Sequence, residues 1–227
     1  DDIVELLAVP PERIDVVYEA AAPLFRPLDL PPDAQRTING VPLQAQRFIL
    51  FVSTIEPRKN IATLLRALRV CRDRRPGADY RLVLAGARGW LADPIYALAE
   101  ELGLTDAVIF LGGVDLESLH WLYNACRIYV NPSLYEGFGL PVLEALACGA
   151  PSLVADTSSL PEVAGAAAQC VPPTEIDAWA DAIMQLWHND AARADLAQRG
   201  PLQAARFSWE QAAAETLAIY RRVAAQC

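Results

Sequence analysis

The longest apolar runs in this chain, such as 107–112 and 128–130, fall far short of the ~20 residues a membrane-spanning helix needs. The sequence opens Asp1-Asp2 with no basic region ahead of an apolar stretch, so no signal peptide is visible. It also opens without Met, which fits a piece of a longer protein. The five cysteines (Cys71, Cys126, Cys148, Cys170 and Cys227) show no CxxC spacing, and are expected to be buried free thiols in a reducing cytoplasm. His120 and His188 are the only histidines and have no Cys or carboxylate at ligand spacing, which argues against a metal site. A net charge of −9 and a pI near 4.7 argue against sequence-independent nucleic-acid binding. Any phosphate-bearing ligand must therefore be held by local donors. Nothing matches GxxxxGK[ST]. Gly137-Phe138-Gly139 begins like GxGxxG, but position 142 is Val and the first strand lacks the motif, so an NAD-type reading is weak.

What remains describes a globular protein: 53 % hydrophobic and 21 % charged residues over 227 positions, enough for one large domain or one and a half average ones. Residues 1–47 hold seven of the seventeen prolines. They read as a helix (2–8), a strand (13–20) and a Pro-rich connector to about residue 46. From there strands and helices alternate. Strands are expected at 48–55, 80–87, 107–114, 127–133 and 151–157, with a last one in AAAQCVPP. Helices are expected at about 61–73, 92–102, 115–126, 141–148, 159–165, 175–189, 191–206 and 208–225. The strands are continuous apolar runs, as in a parallel sheet covered on both faces. The fold class is therefore α/β: a Rossmann-like, doubly wound parallel sheet of about six strands with helices on both faces, followed by C-terminal helices. The expected division is 1–46 for the N-terminal helix, strand and connector, 47–207 for the Rossmann-like domain and 208–227 for a last helix.

In such a sheet ligands bind beyond the carboxyl ends of the strands. Glu56, Arg58 and Lys59 follow the first strand, Gly86 to Trp90 the second, Gly112 to Val114 the third and Ser133 to Gly139 the fourth. Arg58 offers a planar fork and Lys59 a point charge, a pair suited to a diphosphate. Gly137 and Gly139 let backbone approach a ligand, and the helix beginning at Leu140–Pro141 turns its positive end toward it. That helix is apolar nearly all round except for Glu144, and a buried unpaired carboxylate is costly. Glu144 must pair inside the protein or meet a ligand. Ionised Glu136 and Glu144 can only accept hydrogen bonds, which suits sugar or ribose hydroxyls. Diphosphate donors with hydroxyl acceptors point to a nucleotide sugar. Trp90 reads as a packing residue, with stacking on a base the other option. His120, Trp121 and Tyr123 read as core or surface filler, and Trp179 with Trp187 as core.

YEGFGLPVLEALACGAPSLV, in which seven residues separate Glu136 from Glu144, resembles the Glu–seven–Glu signature of retaining GT-B glycosyltransferases, family four (glycosyl transferases group 1) in particular. STIEPRKN (53–60) resembles that family's diphosphate loop, and RLVLAGARGW, VIFLGGV and DTSSLPEVAG fall where the family has comparable segments. The resemblance runs from about residue 10 to the end. It implies the carboxyl-terminal, nucleotide-sugar-binding half of a two-domain enzyme, with the acceptor-binding half outside this chain and 208–225 as the helix that crosses back toward it. Residues 16–22 read VVYEAAA where the family commonly has an Asn-Gly turn.

The resemblance further implies that Arg58 and Lys59 hold the donor diphosphate. Glu144 would accept from the ribose and Glu136 contact the transferred sugar. Amides around Gly137, Phe138, Gly139 and Leu140 would touch sugar and phosphate, and backbone at Gly113 and Val114 would face the base. The implied reaction is hexosyl transfer with retention, mannosyl transfer among the candidates, to a glycan or lipid-linked acceptor in polysaccharide assembly. The nucleotide diphosphate sugar, GDP- or UDP-linked, is substrate; no cofactor or obligatory metal is implied. The implied setting is cytoplasmic or peripheral at the inner membrane face, and this half alone would turn over little or nothing. A non-catalytic nucleotide-sugar-binding module and a GT-B epimerase stand as the alternatives.

Overall fold

Four-residue strands rich in Ile, Leu and Val lose almost all of their surface here, and that burial organises the chain. The computed structural model describes residues 2–225. The first helix, α1, covers Asp2–Leu7, and a hairpin follows from β1 (Gln35–Ile38) and β2 (Val41–Gln44). Then come β3 (Ile49–Val52), α2 (Ile61–Arg74), β4 (Leu82–Ala85), α3 (Asp93–Glu101), β5 (Val108–Gly112), α4 (Leu116–Ala125) and β6 (Ile128–Asn131). The remaining elements are α5 (Leu140–Ala147), β7 (Ser152–Ala155), α6 (Leu160–Ala164), β8 (Ala168–Val171), α7 (Ile176–His188), α8 (Asp190–Ala204) and α9 (Trp209–Ala224).

The main sheet has six parallel strands in the order β5-β4-β3-β6-β7-β8, with helices on both faces; α2 packs on α7 and α5 on α8. β4, β6 and β7 are buried at all four positions, which is why they read as unbroken apolar runs. The chain starts at β3, builds outward to β5, then returns to β6 on the other side. Strand order thus reverses between β3 and β6, the point at which α/β sheets open a crevice for ligands.

By its contacts the chain forms two units. One is Ala21–Arg206; the other combines the N-terminal segment through Ala20 with the C-terminal segment from Phe207. Within the second, Tyr18 meets Phe207 edge-on at 5.6 Å and Arg222 pairs with Asp15. The expected strand over 13–20 is absent: a 3-10 turn covers Pro11–Arg13 and the rest has no strand partner, leaving Val16 71 % exposed. The supposed connector is partly ordered as the β1–β2 hairpin, with Gln35 opposite Gln44 and Ile38 opposite Val41. Its turn is Asn39-Gly40, both at positive φ (50° and 81°), the geometry that Asn-Gly favours in two-residue hairpins. Cys71, Cys126 and Cys148 are buried, whereas Cys170 is exposed because it lies on the edge strand β8; Cys227 is outside the described residues. Trp179 and Trp187 are core residues as expected.

Candidate functional site

The loop after β3 and the loop after β6 meet at the reversal. Pro57–Lys59 forms a single 3-10 turn, and Asn60 behind it sits in the left-handed region (φ 54°). From there its Nδ2 donates to Pro132 O (3.0 Å) and Pro173 O (2.7 Å), while its Oδ1 accepts from Thr63 Oγ1 (2.7 Å). One asparagine so ties the β3 loop to the loops after β6 and β8. Leu134 N donates to Arg58 O (2.9 Å), closing the same seam from the other side.

Three of the expected residues come together here. Lys59 Nζ lies 2.7 Å from Glu136 Oε1, and Arg58 Nη1 3.1 Å from Glu136 Oε2. Ser133 Oγ also donates to Glu136 Oε1 (2.7 Å), and Arg58 Nη1 to Tyr135 O (2.5 Å). Burial works against the charge of Glu136, but Lys59, Ser133 and Arg58 outweigh it and hold the carboxyl below its usual range. Burial likewise opposes the charge of Arg58, and bonding to Glu136 and Glu56 overcomes it, so its pKa rises. Glu56 continues the chain outward: it accepts from Arg58 Nη2 at 2.8 Å and from Trp90 Nε1 at 3.1 Å. Trp90 is 62 % exposed, so it is not the packing residue it seemed; a glycine-rich turn holds it at the rim instead. Gly86 in that turn has no room for a side chain, since a Cβ would fall 1.8 Å from Ser53 O.

The Glu136 backbone is pinned from β7's loop. Glu136 N donates to Ser158 Oγ (3.0 Å), and Ser159 Oγ donates to Glu136 O (3.1 Å) and Phe138 O (2.8 Å). Both serines lie in DTSSLPEVAG, the segment that resembles the family's, but nothing in its spacing marked either as a site residue. Gly137 faces open space, and Gly139 caps α5 at φ 107°, a conformation glycine adopts without penalty. Leu140 begins α5.

Glu144 stands apart from this cluster. It is half-buried, and its partner is a phenol rather than an arginine: Tyr123 OH donates to Glu144 Oε2 at 2.8 Å. Burial raises the Glu144 pKa, with the Tyr123 bond opposing. Burial also lifts Tyr123 well above its ordinary value, aided by Tyr129 and Glu144, so its proton stays in place to donate. Tyr123 was read as filler; its contact with Glu144 depends on α4 packing beside α5, which spacing does not show. The same helix anchors the 21–30 segment, where Phe25 meets Tyr123 edge-on at 5.6 Å and His120 Nε2 lies 2.8 Å from Arg26 O.

Gly113 and Val114 follow β5, at the sheet's edge. Asn39 Nδ2 from the hairpin tip donates to both Leu111 O and Gly113 O at 2.9 Å, fixing the backbone on either side of Gly112. A shallow cleft lined by Gln35, Pro42, Arg47, Phe48, Asp79 and Arg81 opens at the amino ends of β3–β5, the far edge from Lys59 and Glu136. The candidate site is placed at the charge cluster instead, where the carboxyl ends of β3 and β6 meet at the strand-order reversal. Among the described residues no group of three or more His, Cys, Asp or Glu side chains is arranged to hold a metal ion, and no helix is long and apolar enough to cross a membrane.

Residues 35–203 match the model of the family described as "Glycosyl transferases group 1". The chain is 36 % identical over 220 residues to the O-antigen chain mannosyltransferase B of Escherichia coli, covering 97 % of this chain and 57 % of that protein, so it spans little more than half of that relative's length. Among solved structures, sucrose-phosphate synthase from Thermosynechococcus elongatus superposes with a TM-score of 0.74 at 29 % identity, over 90 % of this chain and 51 % of the other. The C-terminal domain of a glycosyl transferase group 1 family protein from Francisella tularensis shares the fold (TM-score 0.65, 23 % identity), covering 81 % of this chain and 95 % of that domain. With three-quarters of its length matched by the family model and a parallel sheet that reverses where Lys59 meets Glu136, this chain belongs to the glycosyl transferases group 1 family, with the Rossmann-like fold of GT-B enzymes.

Proposed function

We propose that this chain is the donor-binding half of a retaining glycosyltransferase that moves a hexose, mannose being favoured, from a nucleotide diphosphate sugar to a glycan or lipid-linked acceptor. The observation that carries the reading is the Arg58–Lys59 pair at the carboxyl end of β3, facing Glu136 across the strand-order reversal. The mannosyl assignment leans on the name of the 36 %-identical relative. The carboxyl-terminal placement leans on the isolated Francisella domain, most of whose length this chain matches.

Each residue then has a task. Arg58 and Lys59 bind the diphosphate and neutralise the charge that builds on it as the glycosyl bond breaks, a preorganised electrostatic role. Glu144, oriented by Tyr123, accepts from the ribose hydroxyls; Glu136 contacts the hexose. Amides of Gly137, Phe138, Gly139 and Leu140 meet sugar and phosphate, and backbone at Gly113 and Val114 faces the base. The nucleotide sugar is substrate, and no cofactor enters this scheme. Turnover requires the acceptor-binding half; the chain alone binds donor. This half carries no membrane-spanning helix among its described residues, so on this reading any attachment to the inner membrane face is peripheral.

The test is titration calorimetry with GDP, UDP, GDP-mannose and UDP-glucose. The wild-type chain should bind at least one of them, and Arg58→Ala should lose about 1.5–3 kcal/mol, the worth of hydrogen bonds to a charged group. That is roughly a 10- to 150-fold weaker Kd. Equal binding by Arg58→Ala would sink the diphosphate assignment.

A further inference from the structure

Glu136 stands where a diphosphate would have to engage Lys59. Its two carboxylate oxygens are shared among Lys59 Nζ (2.7 Å), Ser133 Oγ (2.7 Å) and Arg58 Nη1 (3.1 Å). The Lys59 and Glu136 side chains are only 9 % and 10 % exposed, so the pair is largely shielded from water. Lys59 is also the only lysine in the sequence, so no neighbouring ammonium can substitute for it. A second anion brought to this depth meets an amine already neutralised. Like charges close together in a poorly screened setting repel strongly. The backbone cannot retreat easily, because Ser158 and Ser159 hold Glu136 at both its N–H and its carbonyl. The side chain is what can rotate.

We propose that Glu136 is a resident counter-anion that an incoming diphosphate must displace, and that the displacement makes the site prefer sugar-bearing nucleotides over sugar-free ones. This rests on the diphosphate reading of the same site. With a nucleotide sugar, the displaced carboxylate swings toward hydroxyl groups that donate to it. With a free nucleoside diphosphate it finds no donor there, and it stands beside a terminal phosphate that carries additional charge. The lone carboxylate then competes for the cations and expels the sugar-free nucleotide, which in a transfer reaction is the product. Glu136 is thereby a specificity-determining residue as well as a sugar contact.

The experiment measures binding of GDP, UDP, GDP-mannose and UDP-glucose to wild type, Glu136→Gln and Ser133→Ala, with folding checked by thermal unfolding. Glu136→Gln should bind free GDP or UDP at least tenfold tighter than wild type, and the preference for the sugar-bearing form should shrink by a similar factor. Ser133→Ala removes one donor that holds the carboxylate in place but keeps its charge, so it should tighten free and sugar-bearing nucleotides alike by a smaller factor and leave the preference unchanged; it tests the displacement if Glu136→Gln does not fold. A second readout is the acetylation rate of Lys59 by N-hydroxysuccinimidyl acetate, followed on its peptide by mass spectrometry. It should be slow in wild type, faster in either variant, and slow again with nucleotide bound. If wild type binds GDP or UDP and the folded variants bind them no more tightly, the counter-anion is overturned while the diphosphate site stands. If wild type binds no nucleotide, the diphosphate reading itself falls.

Discussion

Replacing Glu144 by Gln separates what the fold tolerates from what a ligand needs. The carboxylate is half-buried on an otherwise apolar helix, receives one hydrogen bond from Tyr123, and has its pKa raised by burial. Gln keeps a carbonyl oxygen for the Tyr123 hydroxyl and removes the charge, so folding gains the cost of desolvating that charge and loses part of one hydrogen bond. The net expectation at pH 8 is a variant as stable as wild type or more stable by about 1 kcal/mol, which for a protein of this size raises Tm by about 2–4 °C. The pH dependence has a definite sign. A folded pKa above the unfolded one means that wild type is penalised at pH values above the folded value, and that the penalty fades as pH falls through it toward the unfolded value. The advantage of Glu144→Gln is therefore largest at alkaline pH and vanishes in acid, which thermal unfolding at several pH values can follow. Nucleotide binding should move the other way. Loss of a charged acceptor for the ribose costs about 1.5 kcal/mol, roughly a tenfold weaker Kd by calorimetry. A loss of more than about 1 kcal/mol of stability at pH 8, or unchanged nucleotide affinity, refutes the argument, because Glu144 would then be held for the fold and not for a ligand.

Gly86→Ala should cost about 3 kcal/mol in urea unfolding, at the upper end for overpacking, since its Cβ would meet the Ser53 carbonyl in rigid backbone. Asn39→Ala leaves the carbonyls of Leu111 and Gly113 without their donor and should cost about 1–3 kcal/mol. If Gly113 and Val114 face the base, the same change should also alter the ratio of GDP to UDP affinity. Glu136 has a depressed pKa, so its contribution to stability is present above the unfolded value and lost as pH falls through the folded one. Acid unfolding of Glu136→Gln should accordingly be less steep in pH than that of wild type.

The apolar runs led directly to the central strands because β4, β6 and β7 are buried at every position and leave no alternation to mislead, whereas the edge strand β8 carries the exposed Cys170. The loops after β3 and β6 could be singled out for the same reason, since a doubly wound sheet places its ligands at strand ends. Strand order itself is tertiary information, and only with it does the pairing of Glu136 with Arg58 and Lys59 appear. The hairpin at 35–44 did carry a signal, Asn39-Gly40, but Pro31, Pro32 and Pro42 made the surrounding stretch read as a connector. Residues 13–20 erred the other way: their apolar content resembles a strand, yet no neighbour offers hydrogen bonds, and a strand without a partner does not form. Ser158 and Ser159 fell within the recognisable DTSSLPEVAG segment, but their roles, like that of Tyr123, were illegible because each acts through a helix or loop packed beside it, a relation that no local pattern encodes.

Arg58 and Lys59 precede Glu136 by 78 and 77 residues, and the two loops meet only through the β3–β6 pairing. At translation rates of about 5–20 residues per second, a nascent chain waits roughly 4–15 s between making the cations and making their counter-charge. During that interval β3 can align with β4, but its other edge stays unpaired and Lys59 has no Glu136 to meet. The last strand to join the centre of the sheet is the one that brings the carboxylate. Charge balance at Lys59 thus comes into being together with the completed middle of the sheet, and a chain stopped before β6 would display an uncompensated Lys59, and an Arg58 paired with Glu56 alone, beside an open strand.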